Sequence, residues 1–282
     1  MDPAHKTPGK SVHFVFLDGF RGIAILAVFL FHCLGESFGY DKLPWNGWTR
    51  NFDADPSFLA LYPLTYGWCG VSMFFVVSGF CIHLSYTRNS SGGWAEFFFR
   101  RFFRVYPPYV FAILLFFFVW PWGKPSVDSY ERLALLVSHL VTIHHLDPGF
   151  GNINSSFWSV AVEIHLYVLY VLIVFSQRAI GFRKTLLFTL FIELFIRSAN
   201  TFTLLHLDAN LPKWLFYSPL SFWFSWTLGA YLADSHLRGQ TTIFSSLRFD
   251  LTALAAICLP LFKPTMSFSF PAFAILTALA IG

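Results

Sequence analysis

Long apolar stretches separated by short polar ones make up most of this chain. The first covers residues 14–34 and reads FVFLDGFRGIAILAVFLFHCL. About 20 apolar residues in helical conformation cross a bilayer. Further stretches of this kind occupy 67–86, 102–122, 157–176, 185–205, 214–234, 250–262 and 268–282. The pattern predicts an all-α, polytopic transmembrane helical bundle with about eight spans, which we treat as one domain over 1–282.

The segment 131–147 is ambiguous because it is amphipathic and contains several titratable side chains. Cytoplasmic loops of membrane proteins carry an excess of Lys and Arg. If 131–147 does not cross, most basic residues, including Arg88 and Arg178, share the side of the N-terminus. If it does cross, that asymmetry disappears. We therefore expect a cytoplasmic N-terminus and a surface-lying or re-entrant helix at 131–147, with a further span as the alternative.

The composition agrees with a membrane protein. Only 12% of the 282 residues are charged, whereas soluble domains carry about 25%. The net charge of +4 includes no basic patch typical of nucleic-acid binding, so we expect no nucleic-acid partner. Four cysteines lie in or beside apolar runs without metal-ligand spacing, so we expect free buried thiols and no metal site.

The first span carries Asp18, Arg21 and His32. Ionisable groups are costly in lipid and mark functional sites when they occur in spans. Arg21 and His32 are eleven residues apart, which is close to three helical turns and about 16 Å along the axis. Both side chains therefore share one helix face, with Asp18 near the same stripe. This spacing suggests one elongated ligand held at two points.

A second polar stripe begins in the 157–176 stretch. One helix face there carries side chains at i, i+4, i+8 and i+11: Ser159, Glu163, Tyr167 and Tyr170. In the expected topology Glu163 lies at a depth similar to His32, so we predict a His–Glu pair in which Glu163 orients a general base. The alternative is a structural Glu163 bonded to Ser or Tyr. His165 points elsewhere and is expected to pack.

Other polar residues have less specific interpretations. Arg100, Arg101 and Arg104 are expected to gather on one side of a helix, as a cytoplasmic anchor that also suits phosphate. Ser78 is conceivable as a nucleophile, but helix packing is the preferred explanation because no Gly-x-Ser-x-Gly elbow surrounds it. Glu193 and Arg197 are at i and i+4 and should neutralise one another.

Four motifs occur in this order: FLDGFRGIAILAVFLFHC, GVSMFFVVSGF, RRFFRVYPPY and FWSVAVEIHLY. Together, over residues 17–170, they resemble the membrane acyltransferase-3 family, whose hallmark is Arg or Lys, ten residues, then His in the first helix. Typical members continue with hydrophobic segments that this chain lacks, so we expect it to be incomplete at its C-terminus.

The resemblance implies transfer of an acyl group, often acetyl, from cytoplasmic acyl-CoA to a hydroxyl or amine of a carbohydrate, a lipid-linked sugar or another acceptor. Arg21 and His32 match the hallmark pair, and Glu163 matches the acidic residue that follows Trp158 and Ser159. The arginines of RRFFR match the family's basic cluster. Acyl-CoA is then a co-substrate, and no cofactor is expected.

We therefore expect a multi-pass protein of an inner or plasma membrane. His32 and Glu163 are the expected catalytic residues. The expected substrate-binding residues are Asp18, Arg21, Arg100, Arg101, Arg104, Trp158, Ser159 and Tyr167. The rival functions are a transporter or channel, because charged groups in spans also line solute pathways, and a catalytically inactive membrane scaffold.

Overall fold

The computed structural model describes residues 15–40, 42–43, 45–46, 49–50, 61–88, 93–119, 129–147, 149, 152–244 and 246–282. Within these residues the fold is a helical bundle, accompanied by a two-residue antiparallel pair of β1 (Trp45–Asn46) and β2 (Thr49–Arg50). The helices, in chain order, are α1 (Val15–Phe38), α2 (Tyr62–Thr65), α3 (Cys69–Arg88), α4 (Gly93–Val119), α5 (Ser129–Leu140), α6 (Phe157–Ile180), α7 (Phe182–His206), α8 (Lys213–Phe216), α9 (Trp223–Leu237), α10 (Phe249–Cys258) and α11 (Ser269–Ile281).

Five helices of the described residues are long and apolar enough to cross a bilayer: α1, α3, α4, α6 and α7. This confirms the polytopic helical bundle. The other three expected spans are shorter, since α9, α10 and α11 have 15, 10 and 13 residues. A 3₁₀ turn at Pro219–Phe222 separates α8 from α9, and another at Leu259–Leu261 follows α10. Each of these turns has proline in its first two positions, which restricts the preceding backbone.

The ambiguous segment forms α5 and a series of turns that follow it. With 12 residues, α5 is shorter than the roughly 20 residues that a span needs. Its C-terminal end packs on α4, where the hydroxyls of Tyr106 and Tyr109 donate hydrogen bonds to the carbonyls of Leu140 and His139. This supports the expectation that 131–147 does not cross.

Helices α3 and α9 form the centre of the bundle. Every residue of α9 from Trp223 to Ala233 is buried, as expected of a helix that is surrounded by other helices. Gly79 of α3 lies against the backbone of Trp226, and Gly229 of α9 lies against the backbone of Val76. Small residues of this kind allow helices to approach closely in membrane proteins. Gly79 and Gly229 thus let the α3 and α9 backbones meet directly.

The α1 helix packs on the opposite side of α3. Gly70 lies against the carbonyl oxygen of Ala24, and Gly67, just before α3, lies against Ala27. The buried residues of α1 include Leu17, Ala24 and Phe31, which repeat every seven positions. One face of α1 therefore points into the bundle along its whole length.

The Glu193–Arg197 ion pair predicted from the sequence is confirmed. Both side chains are fully buried, and the Arg197 Nε atom donates to Glu193 Oε1 over 3.0 Å. The other guanidinium nitrogens donate to the carbonyl oxygens of Ser267 and Ser221, at 3.0 and 2.7 Å. The Glu193 carboxylate also accepts the backbone N–H of Ser225. This network fixes α7 against α9 and the turns beside it.

We expect Gly229→Ala to lower the thermal unfolding midpoint of the protein in detergent micelles, followed by tryptophan fluorescence. The new methyl group would meet the Val76 carbonyl oxygen and the Phe80 nitrogen, and overpacking of this kind costs about 1–3 kcal/mol. Gly22→Ala is the control, because nothing lies within 4 Å of a Cβ at that position. Equal midpoints for the two variants would contradict the close packing of α3 and α9.

Candidate active site

Arg21 and His32 lie on the inward face of α1. The helix is continuous from Val15 to Phe38, so eleven residues separate the two side chains by about three turns. Both occupy positions along the stripe that contains the buried Leu17, Ala24 and Phe31. The shared face inferred from the spacing is therefore present, and Arg21 and His32 stand at its two ends.

His32 lies in a hydrogen-bonded group at the C-terminal end of α1. Its Nδ1 atom is 2.7 Å from the Tyr40 hydroxyl and 3.1 Å from the Ser155 hydroxyl. Both hydroxyls also reach Glu36 Oε1, at 3.2 Å from Tyr40 and 3.5 Å from Ser155. We call these four residues, His32, Glu36, Tyr40 and Ser155, the His32 network.

Glu163 does not pair with His32, so this part of the sequence interpretation is wrong. Its Oε1 atom accepts hydrogen bonds from the hydroxyls of Ser78, at 2.5 Å, and Tyr167, at 2.6 Å. The reason is axial position. Ser155, which contacts His32, lies just before α6 begins at Phe157. Glu163 lies six residues beyond Phe157, which is about 9 Å further along the axis of α6. The structural alternative, a carboxylate bonded to Ser and Tyr, describes what is observed.

Glu163 instead belongs to a charged group at the N-terminal end of α1. It interacts electrostatically with Arg21 and Arg101, and Arg101 interacts in turn with Arg104. The Arg101 side chain is only 9% exposed. Its Nε atom has no hydrogen-bond partner among the described residues. We call Arg21, Arg101, Arg104 and Glu163 the arginine cluster, and its three positive charges exceed the one carboxylate.

The neighbouring charged residues take different positions. Arg21 Nη1 donates to Asp18 Oδ1 over 3.1 Å, and the Asp18 side chain is 48% exposed. Arg100 forms a salt bridge with Glu96 on the outer side of α4. It therefore does not join Arg101, which points inward. Arg104 is exposed but still interacts electrostatically with Arg101, so among the three arginines of the motif it is Arg100 that does not lie on the expected side.

The remaining expected site residues lie around the start of α6. The Trp158 ring packs edge-on against Tyr217, with 5.4 Å between ring centroids. The Ser159 hydroxyl donates to the backbone carbonyl of Ser156 over 3.0 Å. Neither contact reaches His32. Tyr170, on the same face as Glu163, bonds through its hydroxyl to His83 Nδ1 at 2.9 Å.

All four cysteines are free, as expected from their spacing. Cys69, Cys81 and Cys258 are partly buried, whereas Cys33 is exposed. The expectation that all of them are buried is therefore wrong for Cys33, which follows His32 on α1 but lies on its outward side.

The sequence interpretation missed three of the four members of the His32 network. Glu36 follows His32 at i+4 within α1, a spacing that brings side chains together on a helix and could have indicated it. Tyr40 lies beyond the end of α1 at Phe38, so helical spacing does not predict its contact with His32. Ser155 could not be found in this way because it comes from a distant part of the chain, 123 positions away.

A second polar group, four histidines, lies between α5 and α6. His139 and His144 stack with ring centroids 3.8 Å apart, and His145 lies 5.3 Å from His165. The ring nitrogens of His144 and His145 are buried and have no hydrogen-bond partner among the described residues. His165 was expected only to pack, but its Nε2 atom also forms a hydrogen bond with the Thr142 hydroxyl at 3.1 Å. Burial, together with the charge repulsion of neighbouring histidines, lowers the pKa of His144 to about 2 and that of His145 to about 3.

Within the described residues no group of three or more His, Cys, Asp or Glu side chains has a geometry that could hold a metal ion. The candidate chemistry of the site rests on His32 and the arginine cluster.

The comparison with protein families finds one match. The family model described as an acyltransferase domain, acyltransferase-3, matches residues 14–282. No curated protein and no solved structure matches the chain.

We expect the stability of the protein to fall as the pH is lowered from 7.5 to 5. In the unfolded chain histidine binds protons below its ordinary pKa of about 6.5, whereas the buried rings of His144 and His145 stay neutral at pH 5. The neutral rings therefore contribute fully to the free energy of unfolding above pH 6.5. Below that pH their contribution falls, by about 2 kcal/mol for each ring at pH 5.

The measurement is the thermal midpoint in detergent against pH, for the native protein and for His144→Phe. The variant should show a smaller pH dependence than the native protein, because one buried ring no longer resists protonation. His206→Gln, at an exposed position of α7, is the control and should keep the native slope. A slope that is unchanged in His144→Phe would contradict the assignment.

Proposed function

The chain belongs to the acyltransferase-3 family, and on that premise we propose that it transfers an acyl group, acetyl in the simplest case, from acyl-CoA to a hydroxyl of a carbohydrate or another extracytoplasmic acceptor. It is a multi-pass membrane acyltransferase. The donor, the acceptor and the residues that act on them are the proposal. The observation that carries it is the continuous α1 helix, which presents a cation and an imidazole at the two ends of one inward face.

The arginine cluster suits the phosphates of the donor. Guanidinium groups bind phosphate oxygens with two parallel hydrogen bonds. Arg101 is buried and has a free Nε donor among the described residues, which is costly unless a ligand accepts from it. Glu163 fixes the position of this cluster through its bonds to Ser78 and Tyr167. In our proposal Glu163 is thus a positioning residue of the donor site, and the N-terminal end of α1 faces the cytoplasm, where acyl-CoA is made.

His32 suits the role of general base at the other end. Its Nε2 atom has no hydrogen-bond partner among the described residues, while Nδ1 is held by hydroxyls. Nε2 removes the proton from the acceptor hydroxyl as its oxygen attacks the thioester carbonyl carbon. The carbon–sulfur bond then breaks, and the imidazolium returns the proton to the departing thiolate. About 16 Å of helix between Arg21 and His32 is a distance that an extended pantetheine arm spans.

We expect His32→Ala to reduce acetyl transfer by about 100- to 10,000-fold, the usual contribution of a general base. Purified protein in nanodiscs is supplied with radiolabelled acetyl-CoA and with glucose and N-acetylglucosamine as acceptors. Thiol release and labelled sugar are both measured. His206→Ala, at an exposed histidine, is the control and should retain the native rate. A rate of acetyl transfer in His32→Ala equal to that of the native protein would show that His32 has no part in the mechanism. Solute flux without thiol release would favour a transporter.

We expect Arg101→Gln to weaken acetyl-CoA binding by about 10- to 100-fold, because a hydrogen bond to a charged group contributes about 1.5–3 kcal/mol. The measurement is the rise in unfolding temperature that acetyl-CoA produces, which reports affinity through mass action. Arg183→Gln, at an exposed position at the start of α7, is the control. A full stabilising effect of acetyl-CoA on Arg101→Gln would contradict the donor site proposed here, and absence of any effect on the native protein would favour a scaffold.

A further inference from the structure

The turn that follows α1 folds back onto the helix. Gly39 has a φ of 93°, a left-handed conformation that favours glycine and commonly ends helices. Its N–H donates to the carbonyl oxygen of Gly35 over 2.9 Å. Tyr40 is thereby carried back along α1, and its ring occupies the space where a side chain at position 35 would stand. Two glycines thus place the Tyr40 ring edge-on to His32, with centroids 6.0 Å apart.

The bond between Tyr40 and Glu36 sets the direction of the neighbouring hydrogen bond to His32. The Tyr40 hydroxyl donates its single proton to Glu36 Oε1 over 3.2 Å, where the carboxylate can only accept. The Tyr40 oxygen can then act only as an acceptor towards His32 Nδ1, 2.7 Å away. A contact this short between two acceptors would be repulsive, so Nδ1 carries the proton.

We propose that Tyr40 and Glu36 are positioning residues of the acyl transfer, which hold His32 in the tautomer with a proton on Nδ1 and a free lone pair on Nε2. The inference rests on the proposed function of His32 as the base. It replaces Glu163 with Glu36 as the carboxylate that acts on the imidazole, through the Tyr40 hydroxyl rather than directly. Ser155, two residues before α6, supports the same arrangement at 2.9 Å from the Tyr40 oxygen.

Two further observations support this assignment. Burial raises the pKa of Tyr40 to about 12, and the Glu36 charge raises it too, so the hydroxyl keeps the proton that it donates. Among the described residues, Glu36 is also the charged group that interacts electrostatically with His32. When His32 takes a proton from the acceptor, the positive charge on the ring is stabilised by Glu36, in the manner of the carboxylate in a catalytic triad.

The test compares Tyr40→Phe, Glu36→Gln and the double variant with the native protein. Each single variant should lower kcat for thiol release from acetyl-CoA by about 10- to 100-fold, the usual effect of removing a partner that orients a functional imidazole. The stabilisation by acetyl-CoA should not change, because the donor site is at the other end of α1. The double variant should be no slower than the slower single variant, since residues that act as a unit are not additive.

The pH profile separates this role from a merely structural one. Without the Glu36 charge the protonated ring is less stable, so the acid limb of kcat in Glu36→Gln should move to lower pH while its plateau falls. Tyr66→Phe and Glu131→Gln are matched controls. The Tyr66 hydroxyl bonds to the backbone of Ile257, and Glu131 is an exposed residue on α5. Both should keep the native rate and profile.

The outcomes distinguish the two proposals. Native rates and pH profiles for Tyr40→Phe and Glu36→Gln, with an inactive His32→Ala, would overturn the positioning role and leave His32 as the base. Loss of acetyl-CoA stabilisation in step with activity would show a structural defect and would also overturn the positioning role. A fully active His32→Ala would overturn the proposed function itself.

Discussion

The close approach of α3 to α1 and α9 is the constraint on which the other helix positions depend. Within lipid there is little hydrophobic force between helices, so close packing of small residues holds them together. The glycines at 70, 79 and 229 bring backbone against backbone on both sides of α3. Because successive residues of a helix point in different directions, Ser78 then turns from α9 towards α6, where it meets Glu163. The contacts that secure the bundle therefore also place the carboxylate of the candidate donor site.

Two buried arginines show how the same side chain serves two purposes. Arg197 uses its Nε and both terminal nitrogens on Glu193, Ser267 and Ser221, and it also lies 5.0 Å over the Phe270 ring. A charge that is paired and hydrogen-bonded in this way is stable inside a protein. Arg101 lacks an acceptor for Nε among the described residues and has only a distant aromatic contact with Phe97. The first arginine is part of the architecture, and the second has donor capacity left for an anion.

The sequence predicted those features that depend on a single helix. The apolar runs predicted the helical bundle, and the spacing of Arg21 and His32 predicted their common face, because both follow from the period of an α-helix. The Glu193–Arg197 pair followed from i, i+4 spacing in the same way. The partner of Glu163 could not be predicted, because it depends on how far α6 is displaced along α1. The contact of His32 with Ser155 likewise joins distant parts of the chain, and periodicity carries no information on axial displacement between helices.

The exposed thiol of Cys33 provides a built-in attachment point for spectroscopy. It directly follows His32 on α1 but lies on the outward side, and the other three cysteines are partly buried. A lipophilic methanethiosulfonate carrying a nitroxide or a fluorophore would therefore react there first. The reporter would stand one residue from the imidazole without occupying the interior of the bundle, so it could register local changes in mobility during turnover.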